Sequence, residues 1–229
     1  MSDENDYEIL GEDFQNHDLS FKIIVIGDSG VGKSSLTTKA TKDYFENYYS
    51  PTVGFEFYTF NVRINDKNIR LQIWDTCGQE VYRSLINGFY RSASLAILVY
   101  SIDNYKSFNS LESWLNEIRT KGNPNVKLFL IGNKIDLKEK RKVTEEQAKK
   151  FHVDYGFDFF LETSAKTGFN TQKIFVEAAR TLYEQNLNYQ ERISNVSRDS
   201  NQAIIGFSPQ EPDNINFDEE STKKTKKCC

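Results

Sequence analysis

Eight residues near the start of the chain, Gly27-Asp28-Ser29-Gly30-Val31-Gly32-Lys33-Ser34, have the types and spacing to hold a phosphate. Glycine lets the backbone bend until several N–H groups point at one anion. An apolar run, Phe21–Ile26, precedes the loop, and a segment of helical character, Ser35–Ala40, follows it. Strand, glycine loop and helix in that order put the positive end of the helix behind the anion. In this arrangement Lys33 reaches the outer phosphates of a nucleotide, and the Ser34 hydroxyl ligates Mg²⁺.

Further segments fall at strand ends or on the loop after the first helix, the edge where an open parallel sheet binds ligands. Asp75 ends the run Arg70-Leu71-Gln72-Ile73-Trp74 and is placed like an acid that holds Mg²⁺ through water. Gly78 offers a backbone N–H to a terminal phosphate, and Gln79 beside it is suited to positioning a water. Thr52, in an aromatic and polar loop broken by Pro51 and Gly54, can bring a hydroxyl and a carbonyl to the metal and the γ-phosphate.

Asn133-Lys134-Ile135-Asp136 follows the apolar run Val126–Ile131. A carboxylate only accepts hydrogen bonds. Guanine offers Asp136 two parallel donors, N1–H and the 2-amino group, and adenine offers neither. Leaving buried polar groups unpaired is how a site rejects an analogue by a large factor. The Lys134 stem can stack on the base, Asn133 can tie loops together, and Ser164-Ala165-Lys166 can offer the Ala165 N–H to guanine O6. Phe45 is a candidate for the other edge of the base.

The elements that must position these residues follow from periodicity. Phe57–Ile64 and Ile69–Trp74 flank the turn residues 65–68 and predict a hairpin. A polar stretch runs on to about Tyr90, and Leu95–Tyr100 is a buried strand. Phe108, Leu111, Trp114, Leu115 and Ile118 are spaced as one helix face. Thr144-Glu145-Glu146-Gln147 is a capping-box pattern that starts a helix through Phe151. Phe157–Leu161 is the last strand, and Ile174, Phe175, Ala178, Leu182 and Tyr183 mark a last helix ending near Asn188. Alternating strands and helices predict an α/β domain over residues 20–188, with a mainly parallel sheet, one antiparallel strand and helices on both faces.

The flanks differ. Residues 1–19 carry seven Asp and Glu and no Lys or Arg, which predicts a flexible acidic arm. From about Glu191 the apolar pattern stops, and residues 189–229 are expected to form a disordered tail. As a flexible linker, residues 191–227 would span roughly 35 Å root-mean-square. A net charge of −4 leaves no footprint for a nucleic-acid partner. No apolar run nears a bilayer span, and the acidic start is unlike a secretion signal, so a cytosolic chain is expected. Three cysteines make no disulfide framework. Two of them, Cys228-Cys229, end the chain after Lys223, Lys224, Lys226 and Lys227 and do not form a C-a-a-X box.

Over residues 20–188 the chain resembles Ras-superfamily small GTPases, and within them Rab GTPases. The likeness rests on Gly27–Ser34, Thr52, Val53–Phe57, Trp74–Glu80, Tyr82–Leu85, Phe89–Arg91, Asn133–Asp136 and Ser164–Lys166. The resemblance implies a P-loop NTPase fold with a six-stranded sheet, GTP and GDP as bound nucleotides, Mg²⁺, and slow GTP hydrolysis in vesicle trafficking. It implies nucleotide contacts from Ser29, Gly30, Val31, Gly32, Lys33, Ser34, Ser35, Phe45, Tyr49, Thr52, Gly78, Asn133, Lys134, Asp136, Ser164, Ala165 and Lys166. Ser34, Thr52 and Asp75 would hold the metal, and Gln79 and Lys33 would act in catalysis. Two switch regions, about 45–57 and 76–91, would order with the γ-phosphate. Phe57, Trp74 and Phe89 fall where Rabs place an aromatic patch read by effectors; plain core packing is the other account of these rings.

Cys228 and Cys229 resemble the Rab double-geranylgeranylation signal, and two lipid chains anchor stably where one does not. The implied partners are an exchange factor, a GTPase-activating protein, effectors, a prenylation escort protein and a GDP-dissociation inhibitor. The implied setting is a monomer on the cytoplasmic face of an intracellular membrane, with a soluble pool. Cys77 stands where the family usually has Ala, beside Gly78 and Gln79, which leaves open a GTP-locked, weakly hydrolysing scaffold. Ser29, by contrast, is common among Rabs. A phosphotransferase using the same loop is disfavoured, because no acceptor site or lid is legible.

Overall fold

The run Ile23-Ile24-Val25-Ile26 is completely buried on both faces, with alternate side chains entering two separate cores. The computed structural model describes residues 7–48, 54–76 and 88–204, the last ten by backbone alone. Its strands are β1 (Tyr7–Leu10), β2 (Leu19–Ile26), β3 (Phe55–Ile64), β4 (Lys67–Thr76), β5 (Leu95–Ser101), β6 (Lys127–Asn133) and β7 (Phe159–Glu162). The helices are α1 (Lys33–Lys42), α2 (Tyr105–Asn109), α3 (Leu111–Lys121), α4 (Glu145–Asp154) and α5 (Thr171–Ile204), with a 3₁₀ segment over Ile135–Lys140.

The sheet order is β1-β3-β4-β2-β5-β6-β7. From β4 to β7 neighbouring strands are parallel, while β3 is antiparallel to both β4 and β1. One core packs β2, β3 and β4 against Leu36 and Ala40 of α1 and Ile174, Phe175, Ala178 and Leu182 of α5. The other packs Leu98 and Leu130 against Trp114, Leu115 and Ile118 of α3 and Phe151 of α4. Each such apolar side chain adds about 1.5–3 kcal/mol when fully buried. Register then sets the site: Val25 pairs with Asp75, which brings that acid beside the end of β2 and the glycine loop.

Several expectations are corrected. The sheet has seven strands rather than six, because part of the supposed flexible arm is β1. Tyr7, Glu8, Ile9 and Leu10 pair with Ile64, Arg63, Val62 and Asn61. The arm is held further by side chains of the β3–β4 hairpin. Asn61 Nδ2 donates to the Gly11 carbonyl (2.8 Å), Arg70 donates to the Phe14 carbonyl, and the Asn68 N–H donates to Asp18 (2.8 Å). Arg63 pairs with Glu8 at 2.5 Å, and the Arg180 guanidinium lies 5.7 Å from the Tyr7 ring centroid.

The hairpin is longer than expected, and its turn is two residues, Asn65-Asp66, both with positive φ. That is the mirror-image turn whose twist suits a hairpin. The face marked by Phe108 to Ile118 is divided between α2 and α3. The capping box of α4 is present, with Thr144 and Gln147 each bonded to the other's backbone N–H.

The last helix continues to Ile204, past the expected stop near Asn188, so residues 191–204 are not a flexible linker. No Gly or Pro interrupts residues 171–204; Gly206, Pro209 and Pro212 come after. The chain divides into two units between Leu187 and Asn188. In the second, Tyr189 and Ile193 are exposed on the helix. Residues 205–229, with Cys228 and Cys229, lie outside the described residues. No helix among the described residues is long and apolar enough to cross a membrane.

Candidate functional site

The glycine loop is shaped by close approach. A Cβ on Gly27 would stand 2.2 Å from the Val99 carbonyl oxygen, and one on Gly32 2.5 Å from Asn133 Nδ2. Both residues also have positive φ, so no other residue fits either place. Gly32 caps α1, leaving the first-turn N–H groups of Lys33, Ser34 and Ser35 at the loop mouth. Lys33 is only 5% exposed, and its ammonium donates to the carbonyls of Gly27 (2.8 Å) and Asp28 (2.9 Å). Val31 is buried, whereas Ser29 and Gly30 are exposed at the loop tip.

Ser34 Oγ donates to Asp75 Oδ2. Asp75 is fully buried, and its Oδ1 has no hydrogen-bond partner among the described residues. Burial pushes its carboxyl up to about 6, against the lowering effects of the Ser34 hydroxyl and the Lys33 charge. A buried carboxylate oxygen without a donor, next to a hydroxyl, is a fitting place for a hard cation. No cluster of three or more His, Cys, Asp or Glu among the described residues would hold a metal elsewhere. Thr76 anchors the end of β4, its Oγ1 donating to the Val25 carbonyl at 2.8 Å.

Asn133, fully buried at the end of β6, joins three loops. Its Nδ2 donates to the Val31 carbonyl at 2.9 Å, and its Oδ1 accepts from the Ala165 N–H at 3.1 Å. The second bond engages the N–H that the sequence reading offers to guanine O6. Lys134 has left-handed backbone, and its ammonium donates to the Gly30 carbonyl at 2.7 Å, so its stem crosses from the base loop to the phosphate loop. Asp136 is exposed and accepts from Ser164 Oγ at 2.6 Å, while Ser164 itself is buried and accepts from the Thr167 N–H. Lys166 is exposed beside them, and Phe45 is half-buried against the first core. Tyr49, Thr52, Cys77, Gly78 and Gln79 lie outside the described residues.

A second feature occupies the β3–β4 surface. Trp74 stacks its ring centroid 5.3 Å from Phe57 and 4.8 Å from Phe89. Phe55 joins them at 5.4 Å from Trp74 and 4.9 Å from Phe89, a contact that sequence reading missed. Its place two residues before Phe57, on the same side of the strand, was the available signal. Lys22 Nζ lies about 5 Å from both the Trp74 and Phe89 rings and donates to Ser92 Oγ at 2.9 Å. Burial lowers its pKa. Phe57 is 51% exposed, while Trp74 and Phe89 pack partly against the second core. The rings therefore serve packing and surface together.

The Ras family profile matches residues 22–184 of this chain. The chain is also similar to Ras-related protein RABF2b of Arabidopsis thaliana, with 42% identity over 167 residues, covering 73% of this chain and 83% of the relative. The folded site, the family match and this relative agree: the chain belongs to the Ras family of small GTPases, guanine-nucleotide switches that hydrolyse GTP.

Proposed function

We propose that this chain is a Rab-type switch that regulates vesicle trafficking from a membrane surface. The observation that carries the Rab reading is the half-exposed ring cluster of Phe57, Trp74 and Phe89 at the base of both candidate switches. Similarity to a Rab relative supports it. In this reading effectors dock on those rings when the γ-phosphate orders residues 45–57 and 76–91.

The residues around the nucleotide take the following roles. The first-turn N–H groups of α1 and the loop from Ser29 to Gly32 cradle the phosphates. Lys33 gives up its two carbonyls to meet the outer phosphates and balances charge as the γ-phosphate departs. Asp136 accepts from the guanine edge, Lys134 and Phe45 flank the base, and Ser164 holds Asp136 in place. Ala165 then serves O6 by sharing or exchanging its bond to Asn133. Magnesium, when bound, supplies positive charge to the outer phosphates; Ser34, Asp75 and Thr52 would hold it. Gln79 orients the attacking water, and no arginine of this chain is assigned to the transition state, so an activating protein acts in trans.

Cys228 and Cys229 are the proposed lipid attachment sites, and each nearby Lys adds about 1 kcal/mol at an anionic leaflet. An escort protein and a GDP-dissociation inhibitor would shield those lipids, and an exchange factor would reload the site. The test is imaging of the full chain carrying an N-terminal fluorescent tag, with both cysteines intact and with both replaced by Ser. Discrete membrane structures that disperse on replacement are expected. A diffuse signal from the intact chain overturns the membrane half of the proposal.

A further inference from the structure

Asp28 puts a carboxylate inside a loop whose task is to receive several negative charges. The loop manages it through a distant residue. Trp114 of α3, fully buried in the second core, donates its indole Nε1–H to Asp28 Oδ1 at 2.9 Å. Lys33 and α1 lie with the first core on the other face of the sheet. The side chain of Asp28 is thus held toward α3, while its backbone carbonyl accepts from Lys33 at 2.9 Å.

We propose that Trp114 is a positioning residue of the nucleotide site: its indole N–H holds the Asp28 carboxylate away from the phosphate cradle. The argument is electrostatic. A carboxylate in that loop is repelled by a di- or triphosphate at short range. One hydrogen bond from a rigid, fully buried ring sets the rotamer of Asp28, and α3 keeps the ring in place. Trp114 acts through Asp28. The arrangement also ties the loop to the α3 side of the sheet.

The test measures dissociation of a fluorescent GDP analogue from the full chain in magnesium buffer, for the native chain, W114F, D28N and the double variant. W114F keeps an aromatic ring and removes the donor. The expected result is a five- to twentyfold faster dissociation in W114F. In the D28N background, which has no charge to misplace, W114F should change the rate less than twofold. Equal effects of W114F in both backgrounds would assign Trp114 to packing alone and overturn the proposal. Should W114F not fold, D28E decides, since it leaves the core untouched and moves the carboxylate one methylene along. It is expected to dissociate faster than the native chain, with the excess shrinking at high salt; a native rate at all salt concentrations overturns the proposal.

Discussion

Asn133 and Trp74 both sit on strands that end at the nucleotide edge, yet their polar atoms are treated in opposite ways. Asn133 is buried, and both ends of its amide are bonded, to Val31 and to Ala165. Trp74 has a buried indole N–H with no partner among the described residues, and its neighbours Phe55 and Phe57 are half exposed. The Asn133 amide ties the loops of the cradle through bonds made within the chain. The ring patch leaves apolar area and one donor unsatisfied, which favours a surface completed by something else. Rigidity belongs where the ligand is always the same, and incompleteness where partners change.

This contrast can be broken at several points. The largest effect is expected from Lys33→Ala, because removing one member of a buried, charge-matched set costs about 3–5 kcal/mol. Nucleotide affinity should fall more than about a hundredfold by calorimetry, at 1.4 kcal/mol per decade. Next is Asn133→Ala, which strands the Val31 carbonyl and the Ala165 N–H. Unmade buried bonds cost about 1–3 kcal/mol each, so denaturant unfolding should show a loss of about 2–4 kcal/mol. A loss under about 0.5 kcal/mol would mean that the cradle is not self-supporting.

Phe57→Ala sharpens the other side. Urea unfolding should show a loss of about 1 kcal/mol or less, against about 3–5 kcal/mol for Phe129→Ala in the core. Equal losses would make Phe57 a packing residue and remove the surface reading. Deleting residues 1–10 should lower stability by about 1 kcal/mol, since β1 contributes one short edge ladder and a few partly exposed contacts. The smallest effect is expected from Cys77→Ala. Single-turnover hydrolysis should change less than about threefold, or roughly 0.6 kcal/mol. A tenfold rise would favour the GTP-locked alternative.

The parts of the fold legible in the sequence were those written locally. The loop from Gly27 to Ser34 announces itself by spacing, and the capping box at Thr144 by four consecutive residues. β1 was hidden because its partner, Ile64 to Asn61, lies some fifty residues away, and its acidic neighbours suggested solvent. The continuation of α5 was masked by composition. Asn- and Ser-rich sequence argued for disorder, although the breakers that end a helix do not appear until Gly206. For Trp114, helical spacing revealed burial of the ring but said nothing of where its N–H points. Ala165 shows the same limit: its motif supplies an N–H, and only the folded chain reveals which acceptor takes it.

The strand at Tyr7–Leu10 has one more consequence. It lies along the outer rim of the sheet and covers the row of backbone groups that β3 would otherwise present over residues 61–64. Unclaimed rims of that kind invite pairing between molecules. A protease that trims the first ten residues during purification would therefore bare a sticky margin, and samples clipped there should turn turbid in storage sooner than intact ones.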